Sequence, residues 1–243
     1  MEKVFQSIGR AFELVTIENM DSVNQITWRI GKVDLVINVT TIIMTWIVMI
    51  IIILFSYLGV RKLKKYPGKV QALVELIIDG LDKLIKDTMG EVGRKYLPLI
   101  ATLFFFVAFS NWLGVIPLLK SPTGDLNTTL GLGILVFLIV QGSGIATKGL
   151  FSYLKGFLEP LVIAPLAVVI NLAGEFGKTV SHSFRLFGNI LGGGLIIIVL
   201  SDLFKYLLIP PVLHAFFGLF IGAVQAFVFG MLALVYITVG RGE

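Results

Sequence analysis

From Leu35 to Val60 the chain runs without one charged side chain, and Ile47 to Leu54 is built only of Ile, Val, Met and Leu. Crossing the hydrocarbon core of a bilayer takes roughly 20 apolar residues as helix. Backbone polar groups in lipid need partners within their own segment, which a helix provides. Residues 35–60 are therefore expected to span a membrane, after an extracytoplasmic N-terminal segment at 1–34. The run stops at Arg61, Lys62, Lys64 and Lys65, followed by Pro67. Such a basic stop places the end of this helix in the cytoplasm and its start outside.

Residues 68–89 are of another kind. Leu73, Leu76, Ile77, Leu81, Leu84 and Ile85 recur at helical spacing, with Glu75, Asp79, Asp82, Lys83, Lys86 and Asp87 between them. This predicts an amphipathic helix, too charged to span, either on the cytoplasmic face of the membrane or as a soluble helical arm. The Phe-rich segment 96–119 crosses again and closes at Pro117 and the polar turn Lys120 to Asp125. Residues 127–146 return to the side marked by Lys148 and Lys155. Two long apolar helices follow, 161–200 and 211–239, with a break at Ser201 to Pro210. Forty residues of helix measure roughly 60 Å, about twice the hydrocarbon thickness. That helix must tilt strongly or break at Gly188 or Gly192 to Gly194, and a tilted hairpin is expected. The chain thus reads as an all-α integral membrane protein, with about five membrane helices and one amphipathic helix on the cytoplasmic face.

Composition excludes the main alternatives. Only 14% of the residues are charged and 56% are hydrophobic, whereas soluble domains are about a quarter charged. The excess of Lys and Arg sits beside apolar segments, which argues against a nucleic-acid partner. Without cysteine, and with only His182 and His214, no metal site and no cofactor are expected. The first 30 residues contain Glu2, Glu13, Glu18 and Asp21 and no basic-then-apolar run, so no cleaved signal peptide is expected.

Inside the first long helix the polar residues are Asn171, Glu175, Lys178, His182, Arg185 and Asn189, at steps of four, three, four, three and four. They share one face, with Ser181 beside it. An intramembrane charge costs about 3 kcal/mol on insertion scales and marks a functional residue by default. Arginine cannot escape that cost by losing its proton. Glu175 and Lys178 read equally as a structural ion pair, and His182 equally as a packing residue or a relay. Gly192 to Gly194 offer a smooth surface to a neighbouring helix. On the last helix Gly218, Gly222 and Gln225 share a face. Gln225, the lone amide from Phe216 to Tyr236, must hydrogen-bond if buried. The Arg185 guanidinium is one partner within its expected reach; interhelical packing is the other reading.

Here the sequence resembles a known family. Ser183-Phe-Arg185-Leu-Phe-Gly-Asn189 is similar to the arginine motif of ATP synthase subunit a, typically G-L-R-L-F-G-N. Gln225-Ala-Phe-Val-Phe229 with Tyr236 resembles its final-helix segment Q-A-F-I-F. Pro67 to Gln71, Glu75-Leu76, Asn111 with Pro117, Ser121 to Asp125 with Asn127 to Leu130, and Lys148-Gly149 match family landmarks in order. The resemblance covers nearly the whole chain from Asp34 on.

It implies a stationary, non-catalytic subunit of the F0 sector of an F-type ATP synthase, with no cofactor of its own. The implied partners are the rotating c-subunit ring, subunit b, the rest of the F1F0 complex and the bilayer, in a bacterial inner membrane. Arg185 then separates two half-channels. Gln225, Lys178, Asn189, Ser181, Glu175, Asn171 and His182 accompany it, and Asn111, Asp125 and Asn127 belong to the outer half-channel. Three family carboxylate or histidine positions are empty here, at Gly194, Gly218 and Gly114. This leaves the coupling ion open between proton and sodium, with His214 or Asp202 as substitute relays. Two other classes compete. A self-contained transporter with an arginine anion site usually carries repeats, and none is visible. A membrane enzyme needs a nucleophile–base pair or metal ligands, which are also not evident.

Overall fold

The computed structural model describes residues 25–30, 33–60, 68–116, 119–156, 158, 164–204 and 209–242. Among them five stretches are long and apolar enough to cross a membrane. The basic stop at Arg61 to Lys65, with Pro67, and Pro117 lie outside the described residues, as does most of the N-terminal segment.

The chain enters through two antiparallel strands, β1 (Gln25–Ile30) and β2 (Val33–Asn38), in register from Gln25 opposite Asn38 to Ile30 opposite Val33. The first span therefore begins at Val39, not Leu35. Val33, Val36 and Ile37 are β-branched and suit a strand, and Asn38 supplies the stop. Its Oδ1 accepts the backbone N–H of Thr41 at 3.3 Å, an N-cap for α1 (Val39–Val60).

The amphipathic segment is α2 (Lys69–Met89), and a 3₁₀ stretch (Gly90–Tyr96) turns it into α3 (Leu97–Leu113). Next come α4 (Leu126–Lys148) and a short α5 (Leu150–Gly156). Then α6 (Ala164–Phe204) runs unbroken past all four candidate glycines. Its 41 residues make roughly 60 Å, so in a bilayer it lies tilted. Beyond it are α7 (Ile209–Ala215), a π-turn (Phe216–Ile221) and α8 (Gly222–Arg241). The second arm of the hairpin is thus one continuous helical run, as the sequence suggested, with a π-turn within it.

The core is a bundle in which α8 packs against α3 and α4, and α4 also supports α6. Ile100, Val107, Val136, Leu186, Phe229, Leu234 and Ile237 are buried there, and Ile85 of α2 closes one end. Elsewhere large apolar side chains point outward, including Ile42, Trp46, Ile50, Ile53 and Tyr57 on α1 and Val169, Ile170 and Phe176 on α6. In water such a surface would aggregate; in lipid it is the solvent-facing side.

Candidate functional site

At 100° per residue the six polar positions of α6 cover an arc of about 80°, and the neighbouring helices divide that arc. His182 is on the inner edge, 2% exposed. Its ring centroid is 3.9 Å from that of Phe229 and 5.8 Å from that of Tyr236, both on α8. Its Nε2 has no hydrogen-bond partner among the described residues. Arg185 and Ser181 are on the outer edge, both exposed. Around them Gly174, Gly177, Gly188 and Gly192 leave an open surface where an added Cβ would meet nothing. Gly193 instead faces Phe217 and Gly194 a cavity described below, so the three glycines do not form one surface.

The amide expected to reach Arg185 has a different partner. Gln225 is buried, and its Oε1 accepts Nδ2–H of Asn189 at 2.5 Å. Among the described residues Arg185 has neither a hydrogen bond nor an ion pair. Its guanidinium is a fixed positive charge on an exposed edge of α6, beside Ser181 and the open glycines.

Toward the start of α6, Lys178 Nζ donates to Glu175 Oε1 at 2.5 Å. Glu175 Oε2 also accepts Nε2–H of Gln141 on α4, at 3.2 Å. Gln141 Oε1 in turn accepts the hydroxyl of Tyr153 on α5. Burial, and then the charge of Glu175, raise the Tyr153 hydroxyl above its usual value, so it stays a donor. Asn171 begins the stripe, half-buried. Glu175, Lys178, His182 and Tyr236 line a small cavity of about 10 Å³ between α4, α6 and α8, about the room one water needs.

At the other end of α6 lies a much larger cavity of about 710 Å³. Asp125, Asn127 and Lys120 line one wall, and Phe187, Ile190, Gly194 and Ile198 of α6 another, with His214 of α7 between them. Asp125 is held in place: Oδ1 caps α4 through Asn127 N–H at 2.9 Å, and Oδ2 accepts the Thr41 hydroxyl at 2.9 Å. Asn111 does not line this cavity. It is buried, donating to Gly222 O at 3.0 Å and accepting from Thr123 at 2.6 Å. It therefore ties α3, the polar turn and the start of α8 together. Gly218 has no room for a side chain, since a Cβ there would lie 2.0 Å from Val115 Cγ2. The side chain of Asp202 lies outside the described residues.

Residues 42–238 match the model of the family described as ATP synthase A chain. The chain belongs to that family. "ATP synthase subunit a" of Trichlorobacter lovleyi is 38% identical over 201 residues, covering 82% of this chain and 86% of the relative. The protein of that name in Geobacter sulfurreducens is 38% identical over 194 residues, 79% of this chain and 83% of its own. In Moorella thermoacetica the figures are 37% over 198 residues, 82% and 88%.

As an ATP synthase A chain it is a multi-pass membrane subunit of the F0 sector of an ATP synthase. Within this A chain, Gln141 and Tyr153 were missed by the sequence reading. Gln141 is the only amide from Leu130 to Lys148, the same signal that singled out Gln225. Tyr153 gives no such signal, because a tyrosine beside a basic loop is ordinary at a membrane interface.

Proposed function

We propose that this chain is the stationary ion-translocating subunit of its ATP synthase, with two offset half-channels and Arg185 as the barrier between them. One observation carries the reading: Arg185 is the exposed cation between two polar spaces on the same helix. Lys178, beside the small cavity, is seven residues before it, roughly 10 Å along the axis; Gly194, on the large cavity, is nine residues after, roughly 13 Å. The large cavity, with Asp125, Asn127 and His214, is the outer half-channel, and Asn111 holds its wall. Glu175, Lys178, His182 and Asn171 mark the inner one, on the side of the basic loops, which is cytoplasmic. Ser181 and the open glycines flank the arginine where helices of a c-subunit ring would pass.

The chemistry follows from a charge that cannot be removed. A ring carboxylate arriving opposite Arg185 is favoured in its ionised form and gives up its ion. The same charge repels a cation attempting direct passage, so an ion reaches the other half-channel only by travelling round with the ring. One charge crossing 100 mV contributes about 2.3 kcal/mol, so several ions are summed per ATP. Asn189 and Gln225 bond each other rather than the guanidinium, which leaves Arg185 free to face the ring.

The test is the intact complex in liposomes. Arg185→Ala is expected to abolish ATP-driven ion uptake and ATP synthesis while hydrolysis by the F1 sector persists. Wild-type synthesis in that variant would overturn the assignment. The same liposomes decide the ion. Sodium uptake that survives a protonophore indicates a sodium path through the carboxylate-free wall at Gly194. Acidification abolished by it indicates protons relayed through His214, His182 or Glu175.

A further inference from the structure

We infer that Tyr153 and Gln141 are positioning residues for ion passage, acting through Glu175: α5 is a latch that folds back from the membrane surface and orients the Glu175–Lys178 pair. The inference rests on the reading that Glu175 stands on the inner access path.

The geometry is built for this contact. Gly149 takes φ 78°, a left-handed conformation, between α4 and α5, and its N–H bonds back to Ile145 O at 2.9 Å. Any L side chain there would be strained, and the turn sends α5 back along α4. Tyr153 then reaches Gln141, about two turns up α4 from its end at Lys148, only because position 144 is glycine. A Cβ on Gly144 would lie 2.5 Å from Tyr153 Cε2 and 2.9 Å from Gly240 O. Two glycines are thus used to bring one phenol to one amide.

An amide has a donor end and an acceptor end of nearly equal shape. With the Tyr153 hydroxyl donating to Oε1, the NH₂ of Gln141 is turned to Glu175 Oε2. Reversed, the amide would put its oxygen against a carboxylate. Glu175, which can only accept, takes the NH₂ end, and the Tyr153 hydroxyl, donating to Oε1, holds the amide in that place without touching Glu175. α5 itself is seated by its surface. Leu150, Phe151 and Leu154 are exposed, Phe151 at 89%, beside Lys148 and Lys155, the pattern of a helix lying at a bilayer interface. The orientation of a charged group inside the membrane is in this way tied to the membrane surface.

Inverted vesicles carrying the complete complex, stripped of the F1 sector, allow passive flux of the coupling ion to be read per assembled complex. Tyr153→Phe keeps the ring on Gly144 and removes only the hydroxyl. It is expected to lower that flux about fivefold, the worth of one hydrogen bond, at unchanged thermal stability of the extracted complex. Gln141→Leu should lower it at least as much, and the double variant no further, because both act at one point. Multiplying effects would overturn the latch, as would a Tyr153→Phe complex that is less stable but conducts normally. Glu175→Gln separates the two readings. Reduced flux there with normal flux in Tyr153→Phe removes the latch alone; normal flux in Glu175→Gln removes Glu175 from the path and the latch with it.

Discussion

Asn111, Asp125 and Gln225 show what a single polar residue reveals and what it conceals. Gln225 was identifiable as a lone polar group in an apolar setting, whereas Asn111 and Asp125 were singled out only by the resemblance, and each of the three has a hydrogen-bond partner here. Asp125 does what an Asp before a helix does, accepting the Asn127 N–H. The partners of the others depend on which helices meet, and local sequence holds no trace of that: Gln225 bonds Asn189, and Asn111 bonds Gly222 and Thr123. Gly218 carries a prediction at this scale. An added Cβ would lie 2.0 Å from Val115 Cγ2, and valine has little rotamer freedom with which to retreat. Gly218→Ala should cost about 1–3 kcal/mol by overpacking, seen as a lower thermal midpoint of the extracted complex. Val115→Ala in the same chain should recover most of it. Unchanged stability in Gly218→Ala would mean that α3 yields at this contact.

At the scale of the element, hydrophobic period located the spans well and their junctions poorly. The amphipathic helix foreseen at 68–89 is found at Lys69–Met89, because alternating charge and leucine is unambiguous. The next helix ends at Leu113, short of the expected 119, since apolar composition alone does not mark an end. The π-turn at Phe216–Ile221 was also silent, as such turns have no pattern of their own. So was the division of the α6 stripe, in which His182 turns inward and Arg185 outward although spacing groups them. The joint between α2 and α3 depends on one residue. A Cβ on Gly93 would lie 2.7 Å from Met89 Cβ, 2.8 Å from Ile85 Cγ2 and 3.2 Å from the Ile85 carbonyl. Gly93→Ala should therefore open the 3₁₀ turn that presses α2 onto the bundle. Limited proteolysis between residues 90 and 96 is the readout, with faster cleavage than wild type expected and equal rates counting against a tight joint.

The whole molecule is organised around one long helix that presents a different environment at each level: a small polar cavity, an exposed arginine, and a wide cavity beyond. If these are two half-channels that do not meet, each must be wetted from one side of the membrane only. The protein is well suited to that test because it contains no cysteine, so a single introduced thiol is the only one in this chain, and the complex with the wild-type chain is the control. Asn127→Cys and Gly194→Cys, on the wide cavity, should lose ion flux to silver ions added to right-side-out vesicles and resist them in inverted ones. Thr179→Cys, on the small cavity, should behave in the opposite sense. Among the described residues its hydroxyl bonds only the Glu175 carbonyl of its own helix, at 3.2 Å, so the exchange is mild. Reaction of both sets from one side would mean a continuous pore. Arg185 would then act as a filter for ions in a channel, and the coupling of flux to rotation would need another barrier.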